Sequence, residues 1–141
     1  ILGKHIMFKP RLKEGLLLNK KFSINSMIDI SDGLAADLGH ILEESGVGAV
    51  LYEDEVPISE DAKKLAHKTG LSTLHHALHD GEDYELLFTL SSKESKKLLA
   101  SRSFPARLSK IGHINNSKGI KMQDTDGKLK KIKPIGYKHF K

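Results

Sequence analysis

The chain is built around one short segment, Met27-Ile28-Asp29-Ile30-Ser31-Asp32-Gly33-Leu34. Apolar residues lead into it from Ile24, and an amphipathic helical pattern leaves it through Leu38 and Ile41. This pattern predicts a strand over residues 24–30 that enters a helix over residues 32–45 through a tight polar turn. The turn would bring backbone N–H groups and the positive end of a helix to the same place as two carboxylates. Phosphate binds at helix N-termini and Mg²⁺ binds carboxylate oxygens, so the segment suits a magnesium nucleotide.

A purely local interpretation of the same residues remains open. Asp29 ends the predicted strand and Asp32 starts the predicted helix, so a turn can aim both carboxylates into one pocket. However, Ser31 also has the chemistry of an N-cap, and Asp32 would favour the helix dipole from the first turn. Gly46 fits the position just past the end of that helix. The spacing alone therefore allows either a metal site or a well-capped helix.

A second acidic segment, Gly81-Glu82-Asp83-Tyr84-Glu85-Leu86-Leu87-Phe88, opens another strand-like stretch. The residues from Tyr84 to Leu90 are rich in strand formers, and strand alternation would place Asp83, Glu85 and Leu87 on one face. Glu82 precedes this strand, in a loop position of the kind that often carries function. The alternative is an ordinary polar loop that begins at a glycine.

The remaining segments alternate between helical and strand-like patterns. We expect helices over 11–20, 59–69 and 71–79, a helix from Ser91 to about Arg102 with a Ser91/Glu94 capping box, strands over 47–53 and 106–114, and a hairpin formed by 120–123 and 129–132. Helices and strands that alternate first and pair as a hairpin last are typical of an α/β fold of α+β character. The predicted architecture is a mixed β-sheet packed with helices.

Composition narrows the classes of function. A length of 141 residues fits one domain, and the absence of cysteine excludes disulfides, thiolate metal sites and cysteine nucleophiles. No stretch has the pattern of a signal peptide or the length of a membrane span, so we expect a cytoplasmic location and no membrane partner. The net charge of +5 is spread over the chain, which supports an anionic small molecule at least as well as a nucleic acid.

Two further groups of residues allow more than one interpretation. His75 and His79 have the i, i+4 spacing of a helical metal site, but no third ligand is evident, and a structural or solvated role is the simpler interpretation. The chain closes on Gly136-Tyr137-Lys138-His139-Phe140. Two aromatic residues in this tail indicate docking, either against a ligand or as a hydrophobic plug.

Taken together, these segments resemble thiamine-monophosphate kinase. The resemblance rests on two long motifs, residues 26–38 and 81–89, and on three shorter matches at Pro10-Arg11, Ile111-Gly112-His113-Ile114 and residues 136–140. These matches occur in the same order as in the family and cover nearly the whole chain. They correspond to the C-terminal half of the family only.

The resemblance implies a fold and an activity for the complete protein. The family is similar to aminoimidazole ribonucleotide synthetase, selenophosphate synthetase and a hydrogenase maturation protein; the last uses a C-terminal cysteine, which this chain lacks. In this group an N-terminal domain carries most nucleotide and metal ligands and forms a homodimer. The implied reaction is transfer of the γ-phosphoryl group of ATP to thiamine monophosphate, with Mg²⁺, to give thiamine diphosphate. The alternatives are another ATP-dependent enzyme of this group and a non-catalytic ligand-binding domain.

The resemblance also implies roles for particular residues. Asp29 and Asp32 correspond to Mg²⁺ ligands, Ser31 to a contact with ATP, and Glu82 and Tyr137 to contacts with thiamine monophosphate; no catalytic residue is assigned. The family usually has two glycines before the position of Glu82, and here the first of them is Asp80. Because the chain begins with Ile1, we expect residues 1–22 to connect a preceding N-terminal ATP-binding domain, through a first helix, to an α/β domain over residues 23–141.

Overall fold

A computed structural model describes residues 9–136 of the chain. Its regular elements, in chain order, are α1 (Leu12–Lys21), β1 (Ile24–Asp29), α2 (Leu34–Ser45), β2 (Gly48–Tyr52), a 3₁₀ turn (Glu53–Glu55), α3 (Glu60–Thr69), α4 (Thr73–His79), β3 (Leu86–Leu90), α5 (Ser92–Leu99), β4 (Gly112–Asn115), β5 (Gly119–Gln123) and β6 (Leu129–Ile132).

The strands form two sheets. β1 pairs antiparallel with β3, and the register ends with Asp29 opposite Leu86. The other sheet has the order β4-β2-β5-β6, in which β2 and β5 are parallel and the other neighbours are antiparallel. The predicted mixed sheet with packed helices is thus confirmed, and β1 and β3 add a separate two-stranded sheet to it.

Helix α2 lies between the two sheets and forms the centre of the main core. Its apolar stripe, predicted from the spacing, is buried together with residues of both sheets: Leu34, Leu38, Ile41 and Leu42 pack with Ala49 and Leu51 of β2, Ile120 and Met122 of β5, and Leu87 of β3. Each fully buried Leu or Ile side chain contributes about 1.5–3 kcal/mol. The position and direction of α2 are therefore fixed by packing on both sides.

The opposite face of the β1–β3 sheet carries a smaller core. Leu18 and Phe22 of the α1 region and Leu98 of α5 are buried there, with Met27 and Phe88 packed against them. Alternate residues of β1 thus serve different cores, since Met27 joins the smaller core whereas Ile28 packs against the main one. The β1–β3 sheet therefore packs against a core on each face, and Asp29 lies exposed at the end of β1.

Several helix ends match the sequence predictions, whereas β4 and α5 differ from them in extent. As predicted, Gly46 ends α2 in the left-handed conformation and Ser91 accepts the capping hydrogen bond of α5. Ser59 caps α3 in the same way. The strand predicted over 106–114 is wrong in extent, because only Gly112–Asn115 pairs with the short β2. Similarly, α5 ends at Leu99 and not near Arg102. Within residues 9–136, no helix has both the length and the apolar character needed to cross a bilayer.

Candidate functional site

The two acidic motifs lie side by side at one end of the β1–β3 sheet. Beyond the last paired residues the main chains stay joined: Ile30 N–H donates to the Glu85 carbonyl oxygen and Tyr84 N–H to the Ile30 carbonyl oxygen, each at 2.8 Å. A third bond, also 2.8 Å, runs from Glu82 N–H to the Ser31 carbonyl oxygen. Two segments that are far apart in the sequence therefore lie side by side, joined by main-chain hydrogen bonds.

The first part of the second motif forms a loop that extends two residues into the predicted strand, to Glu85. Glu82 and Tyr84 have positive φ angles of 66° and 52°, which are incompatible with extended strand geometry. The strand consequently begins at Leu86 instead of Tyr84, and the predicted common face of Asp83, Glu85 and Leu87 is wrong. Three main-chain bonds to the first motif hold this loop conformation in place of a regular ladder.

The start of α2 also differs from the prediction. The N-cap is Gly33, with a φ of 115°, and no side chain caps the helix there. Ser31 is therefore not the N-cap, and Asp32 precedes the helix and does not lie in its first turn. A Cβ on Gly33 would come within 3.1 Å of the main chain at His79 and Asp80, so the close approach of α4 requires glycine here.

Asp37 replaces the expected acid in the first turn of α2. Its Oδ2 accepts hydrogen bonds from the N–H groups of Ser31, at 2.9 Å, and Asp32, at 3.0 Å. The side chain is only 2% exposed. The sequence pattern predicted free N–H groups before this helix. Two of them, those of Ser31 and Asp32, instead donate to the carboxylate of Asp37.

A group of possible metal ligands surrounds the turn. One ligand atom from each of Asp32, Asp37 and His40 lies within 4.8 Å of the other two. Among the described residues no other such group of three is found, so Asp29, which is exposed at the end of β1, stands outside it. The structure thus places Asp29 and Asp32 on the same short segment and adds Asp37 and His40 from α2.

The chain returns to this turn at its C-terminal end. Pro134 lies against Gly39 of α2, and the Ile135 carbonyl oxygen is 2.7 Å from His79 Nδ1. Gly136 reaches the main chain of Asp32, since a Cβ there would come within 2.5 Å of the Asp32 carbonyl oxygen. Tyr137, for which the resemblance implies a substrate contact, lies outside the described residues.

Gly81 brings the second motif against the first. A Cβ on Gly81 would overlap the Ser31 carbonyl oxygen, so only glycine permits the observed approach. Glu82, the next residue, is exposed beside that contact. Asp80, which stands where the family usually has glycine, has its carboxylate 2.8 Å from His76 Nδ1 of α4.

Two histidines of α4, His76 and His79, have structural partners, in line with the simpler interpretation. His76 is buried, with its ring nitrogens 2.8 Å from Asp80 Oδ2 and 2.8 Å from Thr69 Oγ1. His79 contacts the C-terminal segment through the Ile135 carbonyl oxygen. These contacts tie α3, α4 and the segment before Gly136 to the loop that contains Glu82.

An ion pair joins the second motif to the start of α1. Arg11 Nε is 2.9 Å from Glu85 Oε2 and its Nη2 is 2.7 Å from Glu85 Oε1, which is a two-point contact between planar groups. The hydrogen bonds and the negative charge of Glu85 raise the pKa of Arg11 above its ordinary value. The charged guanidinium therefore fixes Glu85 just before β3 begins.

Comparison with known proteins identifies the family of the chain. Residues 1–125 of the 141 match the family model described as AIR synthase related protein, C-terminal domain. The chain belongs to this family.

Relatives of this AIR synthase-related domain include the thiamine-monophosphate kinase of Rhodopirellula baltica, 32% identical over 99% of the chain, and that of Buchnera aphidicola subsp. Schizaphis graminum, 39% identical over 99%. The solved structure described as AaThiL complexed with AMPPCP and TMP superposes with a TM-score of 0.70 and 32% identity. It covers 92% of the chain and 38% of the solved chain. The resemblance to thiamine-monophosphate kinase is thereby confirmed.

The AIR synthase-related domain accounts for less than half of these proteins. The chain spans 44% of the Rhodopirellula baltica relative and 42% of the Buchnera aphidicola relative. Each comparison therefore concerns one portion of a longer relative.

Removal of the Arg11–Glu85 ion pair should have a small but measurable effect on the AIR synthase-related domain. Both side chains are partly exposed, at 37% and 53%, so water screens their attraction. We expect Arg11→Ala to lower the free energy of unfolding by about 0.5–1 kcal/mol, as measured by urea denaturation. Lys63→Ala, which removes an exposed pair within α3, is the control and should have a smaller effect. An equal loss of unfolding free energy in the two variants would mean that the Arg11–Glu85 pair stabilises the domain no more than an ordinary exposed ion pair does.

Proposed function

We propose that the chain is the C-terminal domain of a thiamine-monophosphate kinase. In the complete protein it would take part in transferring the γ-phosphoryl group of ATP to thiamine monophosphate, which gives thiamine diphosphate. One observation carries this proposal: hydrogen bonds of 2.8 Å join the acidic turn at residues 29–33 to the loop at residues 80–85. A turn suited to a magnesium nucleotide and a loop suited to a second substrate thus share one surface.

The donor set of the turn fits magnesium. Mg²⁺ prefers oxygen ligands and commonly uses one or two carboxylates together with substrate phosphates. Asp29 is exposed at the end of β1 and Asp32 is half-buried in the next turn, so both supply oxygens at the edge of the sheet. We assign these two carboxylates as the metal ligands. Bound Mg²⁺ would neutralise the charge of the phosphates during transfer.

The protein contributes binding and orientation to this reaction. Phosphoryl transfer needs little covalent chemistry from side chains and depends mainly on alignment and charge stabilisation. We assign Ser31 to a contact with ATP and Glu82 to a contact with thiamine monophosphate. The hydrogen bond from Glu82 N–H to the Ser31 carbonyl oxygen supports this pairing, because it fixes the two proposed contacts relative to each other.

The proposal includes a larger assembly. We infer that residues 1–22 lead from an N-terminal ATP-binding domain and that residues 23–141 form the C-terminal domain. The length of the relatives, of which the chain spans 44% or less in the two cases described, is compatible with a further domain of similar size. A homodimer of the complete protein and a cytoplasmic location belong to the same proposal.

The proposal is tested by the identity of the product. The full-length gene product that contains this chain is incubated with ATP, Mg²⁺ and thiamine monophosphate, and the thiamine species are separated by chromatography. We expect thiamine diphosphate to accumulate with the full-length protein and not with the 141-residue chain alone. A folded full-length protein that consumes ATP without forming thiamine diphosphate would indicate a different ATP-dependent enzyme, and one that consumes none would indicate a binding domain.

Tyr137 should influence the affinity for thiamine monophosphate and not the affinity for ATP. Tyr137 directly follows Gly136 in the sequence, and Gly136 lies against Asp32. An aromatic ring over a thiazolium cation gains about 0.5–2 kcal/mol. We therefore expect Tyr137→Ala to raise the KM for thiamine monophosphate by roughly two- to thirtyfold in the full-length protein, with the KM for ATP unchanged.

The conservative variant Tyr137→Phe serves as the control for this prediction. It keeps the ring and should retain most of the affinity for thiamine monophosphate. If Tyr137→Ala changes both KM values equally, or neither of them, Tyr137 is a packing residue and its assignment to the substrate is wrong.

A further inference from the structure

Asp37 carries a buried charge that the proposed reaction does not use. An ionised carboxylate is costly to bury unless it is hydrogen-bonded, and Asp37 is only 2% exposed. Its Oδ2 compensates this cost by accepting two main-chain N–H groups, at 2.9 Å and 3.0 Å. The first turn of α2 adds the favourable end of the helix dipole. The two N–H donors belong to Ser31 and Asp32, residues of the turn that precedes the helix.

The Ser31 residue is consequently held from two sides. Its N–H donates to Asp37, and its carbonyl oxygen accepts the N–H of Glu82. A chain of hydrogen bonds therefore runs from the buried carboxylate of α2, through the main chain of Ser31, to the loop of the second motif. Asp32, held by the same oxygen of Asp37, is fixed at the same time.

We propose that Asp37 is a positioning residue that fixes the main chain of Ser31 and Asp32 and, through Ser31, the loop at Glu82. The effect of Asp37 on catalysis rests on the proposed function. The positioning of Ser31 and Asp32 rests only on the hydrogen bonds of Asp37. A group that aligns reacting partners can influence rate strongly, since a displacement of about 1 Å can reduce it about a hundredfold.

The geometry separates this role from that of a metal ligand. Asp32, Asp37 and His40 lie close enough to suggest a common ion. However, Asp37 Oδ2 already accepts two N–H groups, and the residue has almost no exposed surface. Asp32 is half-buried and lies before the helix, so its carboxylate remains the better candidate for the ion.

Amide hydrogen exchange, measured by NMR on the 141-residue chain without metal or nucleotide, tests the positioning directly. In Asp37→Ala we expect the amides of Ser31, Asp32 and Glu82 to exchange about ten- to a hundredfold faster, while amides of β2 and β5 keep their rates. Asp37→Asn retains an acceptor oxygen and should give intermediate rates. The control is Asp61→Asn, which alters an exposed acid in the first turn of α3 and should change none of these amides.

Two results would overturn the proposal. The first is unchanged exchange at Ser31, Asp32 and Glu82 in Asp37→Ala. The second is a uniform increase over the turn, β2 and β5, which would mean that Asp37 stabilises the whole domain and not the turn. If Asp37→Ala unfolds, Asp37→Asn decides the matter by the same comparison of turn and core amides.

Kinetics of the full-length protein distinguish positioning from metal binding. A positioning role predicts that Asp37→Asn lowers kcat and leaves the Mg²⁺ concentration for half-maximal activity unchanged within about twofold. A rise in that concentration of tenfold or more would make Asp37 a metal ligand and contradict the proposal. Absence of any kinase activity in the wild type would refute the proposed function alone, because the exchange experiment does not depend on it.

Discussion

Replacement of Asp32 by asparagine should reduce kinase turnover of the full-length protein by about a hundredfold or more. Asparagine has the same shape and keeps a carbonyl oxygen, but it removes one negative charge from the turn at the start of α2. If Asp32 holds Mg²⁺ against the transferred phosphoryl group, the loss of this charge weakens neutralisation where the reaction requires it. The Mg²⁺ concentration for half-maximal activity should rise in the same variant.

The stability of the Asp32→Asn variant should not fall together with its turnover. The structure places Asp32 before Gly33, the N-cap of α2, so the carboxylate does not serve as a first-turn acid of that helix. The negative charges of Asp37 and Asp32 also lie close together, and like charges near each other are unfavourable. We therefore expect Asp32→Asn to leave the melting temperature of the chain unchanged or to raise it.

Three measurements on one variant decide between the two roles of Asp32: thermal unfolding, turnover and Mg²⁺ dependence. The control is Asp126→Asn, which changes an acid in the β5–β6 turn, outside the acidic turn and the 80–85 loop, and should leave all three unaffected. A destabilised Asp32→Asn protein with normal turnover and normal Mg²⁺ dependence would mean that Asp32 supports the fold and that its assignment as a metal ligand is wrong.

Gly81→Ala should be the most disruptive small substitution in the second motif. The added methyl group would overlap the Ser31 carbonyl oxygen, which is a main-chain atom that cannot rotate away. The loop must then move and strain or break the 2.8 Å bond between Glu82 N–H and that oxygen. We expect the free energy of unfolding to fall by about 1–3 kcal/mol, as for other overpacked sites. Turnover should fall by about a hundredfold, because the loop no longer holds its place against the first motif.

Gly15→Ala provides the matched control for this prediction. Gly15 lies within α1, where a Cβ would make only ordinary contacts with Leu86 and Met27, at 3.5 and 3.8 Å. Alanine favours a helix over glycine by about 0.5–1 kcal/mol, so this variant should be neutral or more stable. If Gly81→Ala behaves like Gly15→Ala in both stability and turnover, the close contact between the two motifs is not important for either.

Periodicity was sufficient to predict the elements that form the core. The stripe of Leu34, Leu38 and Ile41 correctly placed α2, because a long amphipathic pattern leaves few alternatives to a helix. The stop at Gly46 and the hairpin of β5 and β6 were also predicted, because cap and turn residues have strong local preferences. Neither the periodicity nor the resemblance predicted that main-chain hydrogen bonds join the two motifs.

Features that depend on contacts between distant segments were not predicted. Tyr84 belongs to a loop because its N–H donates a hydrogen bond to the Ile30 carbonyl oxygen, and no local pattern encodes that bond. Ser31 was one candidate cap for α2, but the N-cap is Gly33, and the Ser31 N–H donates to the carboxylate of Asp37. One signal for Asp37 was present in the sequence: it lies three positions after Leu34, on the apolar stripe, where a charged residue needs an explanation.

The most direct test of the proposed function follows the γ-phosphoryl group itself. The full-length protein is mixed with Mg²⁺, thiamine monophosphate and ATP labelled with ³²P at the γ position, and the labelled products are separated. The account predicts that the label appears in thiamine diphosphate with the wild type and that its transfer is strongly reduced in Asp32→Asn. Label released as inorganic phosphate, or retained in ATP, while the folded wild-type protein forms no labelled thiamine diphosphate, would contradict it.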